Sequence, residues 1–147
     1  MKKTNPKLWG KLQAQLAPGE LKLDSATLEG HQGDKWFATG RPEAVALPRS
    51  SKAVSTILRF AHRHQIPVTP RGAGYGYVGG CVPLRGGIAL SVARMRRIKE
   101  IHEDDFVAVT QPGVITADLQ AKAEAKGLYY PPDPASRADC SIGGNVA

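Results

Sequence analysis

The sequence predicts one α/β or α+β domain built on a small mixed sheet flanked by helices. Three observations carry this. Short apolar runs bounded by prolines alternate with helix-period stretches, in the order β-α-β-loop-β-β-α-β. Apolar residues make up 41% of the 147 residues and charged residues 22%, a balance that excludes an extended disordered chain. Of the 16 Gly, most lie between Gly72 and Gly87 or near the C-terminus, so the excess of Gly and Pro points to two special loops, and there is no internal repeat.

The elements follow in order. Residues 5–17 read as a short helix ended by Pro18-Gly19, and residues 20–42 as an irregular lead-in with a loop at Gly30 to Asp34. Ala44 to Leu47, between Pro42 and Pro48, has the length of a short buried strand. Ser50 or Ser51 can N-cap the next helix. Within it Val54, Ile57, Leu58 and Ala61 fall on one face, with Arg59, Arg63 and His64 mostly opposite. Ile66 to Thr69 is a second strand. After a glycine loop come a strand at Ile88 to Val92, a charged connection at Arg94 to Glu100, and a strand at Phe106 to Thr110 closed by Pro112-Gly113. Thr116 is the expected N-cap of a second helix, with Asp118 near its positive end, Lys122 four residues on, and Gly127 at C′. Leu128 to Tyr130 begins a last strand, halted by Pro131-Pro132.

Charge and residue types narrow the function classes. The net charge is +7, and residues 51–100 hold nine Lys/Arg against the single acid Glu100. Such a basic middle suits an anionic ligand, or forms a solvated face. The run Arg94-x-Arg96-Arg97-x-Lys99 has no interleaved aromatic residues and no DNA-binding motif around it, so it reads as a solvated connection and no nucleic-acid partner is assigned. His62 and His64 do not share a helical face, Cys81 and Cys140 form no CxxC pair, and no metal-ligand spacing is present. No window approaches the roughly 20 apolar residues of a transmembrane helix. The opening MKKTNPKLWGKLQAQL lacks a signal peptide's apolar stretch, so the default location is the cytoplasm, including the surface of the inner membrane.

The first glycine loop runs from Pro70 and Arg71 through Gly72, Ala73, Gly74, Tyr75, Gly76, Tyr77 and Val78 to Gly79 and Gly80. Five of the nine residues from Gly72 to Gly80 are glycine. Gly74-x-Gly76-x-x-Gly79 satisfies GxGxxG, but a dinucleotide fingerprint of that kind opens a helix. Here Gly80, Pro83, Gly86 and Gly87 follow and make a helix improbable. No acidic residue ends the next strand either. The alternative is a nest of backbone N–H groups turned to one side, which admits a phosphate where no Cβ blocks its approach. Arg71 either adds charge-assisted hydrogen bonds or stabilises the loop itself. A dinucleotide diphosphate fits such a cradle.

The second loop reads Tyr129-Tyr130-Pro131-Pro132-Asp133-Pro134-Ala135-Ser136, then Ser141-Ile142-Gly143-Gly144-Asn145. Its prolines pre-set an extended chain, Ser136 and Ser141 offer hydroxyls, Gly143-Gly144 permits close backbone approach, and Asn145 donates and accepts. Tyr129 and Tyr130 read as a core and rim pair.

The chain resembles the FAD-linked oxidases of the vanillyl-alcohol oxidase type, the PCMH-type FAD-binding fold, and within them the glycolate oxidase and D-lactate dehydrogenase branch. Four places carry the likeness: Arg41-Pro42 to Pro48-Arg49-Ser50, Ile66 to Gly74, Gly79-Gly80 with Gly86-Gly87-Ile88, and Pro131 to Ala147. The resemblance implies an α+β fold, the N-terminal part of a PCMH-type FAD-binding domain over residues 41–147, with residues 1–40 as a helix and lead-in. It implies FAD as cofactor, with Pro70, Arg71, Gly72, Ala73, Gly74, Tyr75, Gly76, Gly79 and Gly80 around the diphosphate. Pro132, Asp133, Pro134, Ala135, Ser136, Ser141, Gly143, Gly144 and Asn145 would line the diphosphate and flavin side.

In some relatives a His in the glycine loop bonds covalently to the flavin. Tyr75 stands at the matching position, so FAD is expected to be non-covalent. This branch usually has Thr, Leu and Ser where the chain has Tyr75, Tyr77 and Val78. The resemblance further implies oxidation of a small 2-hydroxy acid, glycolate or D-lactate, and partner subunits. Family members continue well beyond Ala147, so no catalytic residue and no metal ligand is assigned here. The competing reading is a truncated or split-gene product that binds a nucleotide or a partner without catalysis of its own.

Overall fold

A computed structural model of the chain describes residues 4–147. Asn5 caps helix α1 (Pro6–Gln13), accepting from Lys7 N at 3.0 Å, with Pro6 at a position where no N–H is needed. The helix is shorter than the expected 5–17 and buries Trp9 and Leu12. The lead-in is more ordered than its weak periodicity implies. It holds a two-residue strand β1 (Leu21–Lys22) and a short helix α2 (Ser25–Glu29), capped by Asp24 Oδ1 on Thr27 N at 3.0 Å. β1 is too short to show a pattern; its pairing partner defines it.

Strand β2 (Ala44–Ala46) leads into α3 (Ser51–Arg63), whose N-cap is Ser50, accepting from Ala53 N at 3.2 Å. Strand β3 (Val68–Arg71) is displaced by two residues from the expected 66–69, which brings Pro70 and Arg71 into the sheet. β3 is an edge strand, where a proline is tolerated. β4 (Ile88–Ser91) then inserts between β2 and β3 to give the order β1-β2-β4-β3. β2, β4 and β3 are parallel, and β1 joins β2 antiparallel.

Both faces of this sheet are covered, as parallel strands require. Ala44, Ala46, Ile88 and Leu90 face the main core with Trp9, Leu12, Ile57, Phe60, Ala61 and Ile66. Val45 and Ala89, one register step away, face Leu28 of α2. In α3 the buried stripe is Ala53, Ile57, Phe60 and Ala61. Leu58, expected on that face, is exposed, and Phe60 fills the place because the stripe is rotated by part of a turn.

Beyond β4 three expectations are corrected. The connection Arg94 to Glu100 is in part a strand: β5 (Ile98–His102) pairs antiparallel with β6 (Val107–Thr110) as a separate ribbon. Its charged residues face solvent, so no apolar alternation marks it. Phe106 lies in the turn at φ 55° rather than in the strand. Leu128 to Tyr130 forms no strand, because no partner strand lies beside it among the described residues.

Helix α4 (Thr116–Glu124) starts one residue earlier than expected, with Ile115 at the N-cap and no side-chain cap. Thr116 is fully buried and its hydroxyl is used elsewhere. Residues 142–146, expected in a loop, close a short helix α5 (Ile142–Val146).

Candidate functional site

The sheet delivers the glycine loop at the C-terminal end of β3. Val92 N donates to Arg71 O at 3.0 Å, so the parallel pairing continues one step beyond the strands and fixes where the loop departs. From Gly72 to Gly76 no backbone N–H donates to another group among the described residues. Five consecutive amides without internal partners are what an anion-binding nest requires. Gly74 adopts φ +83°, a conformation closed to most residues.

Beneath that turn lies Arg71. A Cβ built on Gly74 would stand 2.6 Å from Arg71 Cζ and 3.1 Å from Nε. The guanidinium Nη1 donates to Gly33 O at 2.5 Å and lies 3.4 Å from Cys81 Sγ. Of the two roles the sequence leaves open for Arg71, the geometry gives bracing of the loop from below.

The segment Gly33 to Phe37, which by sequence is only part of a lead-in, clamps the same loop. Asp34 Oδ2 accepts from Gly79 N at 2.8 Å while Oδ1 accepts from Trp36 N at 2.8 Å. Lys35 N donates to Gly76 O at 3.2 Å. An Asp–Gly pair 45 residues apart leaves no local sequence signal, so this clamp is invisible in the residue pattern.

The second loop meets the first across a cleft of about 650 Å³. Its closing turn is held by the backbone: Ile142 N donates to Val114 O and Gly143 N to Pro112 O, both at 2.8 Å. Thr116 ties the base together. Its N–H donates to Cys140 O at 3.1 Å, its hydroxyl lies 3.2 Å from Cys140 Sγ, and it accepts from Asn145 Nδ2 at 2.6 Å. Asn145 thus anchors α5 with its amide nitrogen and keeps its carbonyl oxygen available.

Ser141 is the telling residue. Its Oγ is buried and is the one such side-chain polar atom without a partner among the described residues. It occupies the N-cap of α5 yet caps nothing. A Cβ on Gly72 would sit 2.5 Å from it. An orphaned hydroxyl normally costs about 1–3 kcal/mol. Its position between the bare backbones of Gly72 and Gly144 fits an oxygen-rich ligand group held at both loops, as a diphosphate would be.

The expected site residues therefore divide. Pro70 to Gly76, Gly80, Ser136, Ser141, Gly143, Gly144 and Asn145 line the cleft, joined by Val78, Cys81, Val92, Pro112, Cys140 and Ala147, which the residue pattern does not single out. Gly79 lies off the lining with its N–H engaged by Asp34. Pro132 to Ala135 also lie off it. Pro132 O accepts from Gln120 Nε2 at 3.0 Å, and Asp133 pairs with Arg137 at 2.8 Å. That hydrogen bond holds the Asp133 carboxyl below its usual value. Cys81 and Cys140 are free thiols. No group of three or more His, Cys, Asp or Glu side chains suited to a metal ion occurs among the described residues.

Comparison with known proteins shows the family. Residues 42–147 match the family described as FAD binding domain. The chain is 45% identical over 105 residues to glycolate oxidase subunit GlcD of Bacillus subtilis, covering 71% of this chain and 22% of that protein. It is 34% identical over 147 residues to D-lactate dehydrogenase of Anaerostipes hadrus, covering 99% of this chain and 30% of that one. Among solved structures it superposes on 4-ethylphenol oxidase from Gulosibacter chungangensis with a TM-score of 0.79 at 28% identity, over 95% of this chain and 28% of that one. The fold is thus the N-terminal part of the PCMH-type FAD-binding fold, and the chain spans less than a third of the length of these relatives.

Proposed function

The chain belongs to the FAD-binding-domain family, and on that premise we propose that its cleft binds the FAD diphosphate non-covalently within an oxidoreductase acting on a small 2-hydroxy acid. The observation that carries the diphosphate assignment is the unpartnered Ser141 Oγ facing the missing side chain of Gly72, beside five undonated amides. The 2-hydroxy acid follows from the relatives named for glycolate and D-lactate. On this reading residues 41–147 form the first portion of the FAD-binding domain, and residues 1–40 contribute its lead-in and the Asp34 clamp.

Each residue has a definite task. The amides of Gly72 to Gly76 receive diphosphate oxygens, and Ser141 Oγ donates to one from the facing loop. Arg71 and Asp34 hold the nest in shape without touching the ligand. Thr116 and Asn145 fix the second wall. Tyr75, where covalent relatives carry His, has no ring nitrogen to bond to the flavin. Bound FAD supplies a two-electron acceptor for the substrate carbinol, and this part of the protein binds and orients it.

No helix among the described residues is long and apolar enough to cross a membrane. The two free thiols suit a reducing compartment, which supports a cytoplasmic location. A relative named as a glycolate oxidase subunit supports further subunits in the assembly.

The test uses the protein at its natural length. Purified protein should carry or take up FAD stoichiometrically, and anaerobic addition of glycolate or D-lactate should bleach the flavin absorbance. Absence of FAD binding would overturn the assignment. Binding without bleaching by any small 2-hydroxy acid would overturn the substrate class alone.

A further inference from the structure

Among the described residues, Arg71 is the one cationic side chain in the cleft lining, and it is already engaged. A diphosphate is anionic, yet this guanidinium is turned under Gly74 and donates to Gly33 O. The Gly33–Phe37 strap brings another candidate to the glycine loop. It is fastened at three points: Gly33 O by Arg71, the Asp34 carboxylate by Gly79 N, and Lys35 N on Gly76 O. The side chain of Lys35 is exposed and forms no ion pair with a carboxylate among the described residues. Its ammonium instead lies over the ring of Tyr75, 4.6 Å from the centroid. Tyr75 lines the cleft.

We propose that Lys35 is a phosphate-binding residue of this cleft, with the Tyr75 ring as the positioning group that holds its ammonium over the nest. The inference rests on the diphosphate reading and adds to it the charge that the nest amides do not supply. An exposed ammonium on an aromatic face gains little by itself. Its strap is fixed by its backbone to Gly76, and the ring beneath it belongs to Tyr75, a cleft-lining residue whose own amide is one of the five undonated ones. Tyr75 thereby acquires a role that a small hydroxyl residue at that position would not have.

The experiment compares wild type, Lys35→Ala, Lys35→Arg and Tyr75→Leu in the natural-length protein stripped of flavin. FAD, ADP and riboflavin are titrated at low and high salt, with thermal unfolding as the control for folding. Lys35→Ala should weaken FAD and ADP about tenfold, about 1.4 kcal/mol, and leave riboflavin unchanged because it has no phosphate. Lys35→Arg should recover most of the loss. The difference should shrink at high salt, since an exposed charge is screened. Tyr75→Leu should give a smaller loss of the same kind.

Unchanged FAD and ADP affinity in Lys35→Ala, or an equal loss for riboflavin, overturns the proposal while leaving the cradle standing. If wild-type protein binds neither FAD nor ADP, the diphosphate reading itself fails and this proposal with it.

Discussion

The guanidinium of Arg71 packs against the underside of Gly74, so close that any side chain on Gly74 would overlap it. The turn at φ +83° and the buried-side brace are thus one feature: the absence of a Cβ lets the cation sit directly under the nest. Gly74→Ala should abolish measurable FAD uptake and lower the melting temperature. Gly10→Ala, in α1 outside the cleft and where a Cβ would likewise meet nothing within 4 Å, should leave FAD affinity unchanged. Parallel flavin titrations and thermal melts check the contrast.

Ser141 predicts a separation of stability from binding. Removing its unpartnered hydroxyl leaves no buried donor unsatisfied, so Ser141→Ala should be as stable as wild type or more so, by up to about 1 kcal/mol. The same change should weaken FAD binding about tenfold. Denaturant unfolding of flavin-free protein and FAD titration measure the two effects; parallel losses in both would contradict the assignment.

Asp34 acts on the loop from outside the cleft. Asp34→Ala deletes the acceptor of both Gly79 N and Trp36 N. Hydrogen bonds to a charged group are worth about 1.5–3 kcal/mol each at most. FAD affinity should fall about tenfold, with hydrogen exchange rising at residues 76–80 and not in α3. Asp34→Asn, which keeps one acceptor oxygen, should lie between.

Thr116 joins α4 to α5. Thr116→Val keeps the volume but strands Asn145 Nδ2 and removes the contact to Cys140. A loss of about 1–3 kcal/mol in unfolding free energy is expected, as for a buried hydrogen-bond partner removed from one side only. Urea denaturation tests it.

The Asp133–Arg137 pair gives a pH signature. The carboxyl is held below its unfolded value of 3.8, first by the hydrogen bond from Arg137. A depressed carboxylate contributes its stability above the unfolded value and loses it as pH falls through the folded one. Wild type and Asp133→Asn should therefore differ by a small constant amount above about pH 4 and converge below it. Melts over pH 2 to 7 at low salt reveal the convergence.

Much of this was legible from residues alone. The α3 helix followed from Ser50 and the spacing of Ile57 and Ala61, and the absence of a helix after the glycine loop followed from Gly80, Pro83, Gly86 and Gly87. Less legible were the β5–β6 ribbon, whose exposed charged residues carry no alternation, and the face of α3, where Phe60 rather than Leu58 is buried.

The sequence by itself determined that the chain carries two glycine loops and which residue types they offer, because bare backbone and short hydroxyls are properties of composition and spacing. Only the tertiary structure decided that the two loops line one cleft, that the Arg71 guanidinium donates to Gly33 O, that Asp34 reaches Gly79, and that Ser141 Oγ is left without a partner. Those outcomes depend on contacts across tens of residues, and hydrogen-bond satisfaction exists only once every neighbouring group has a place.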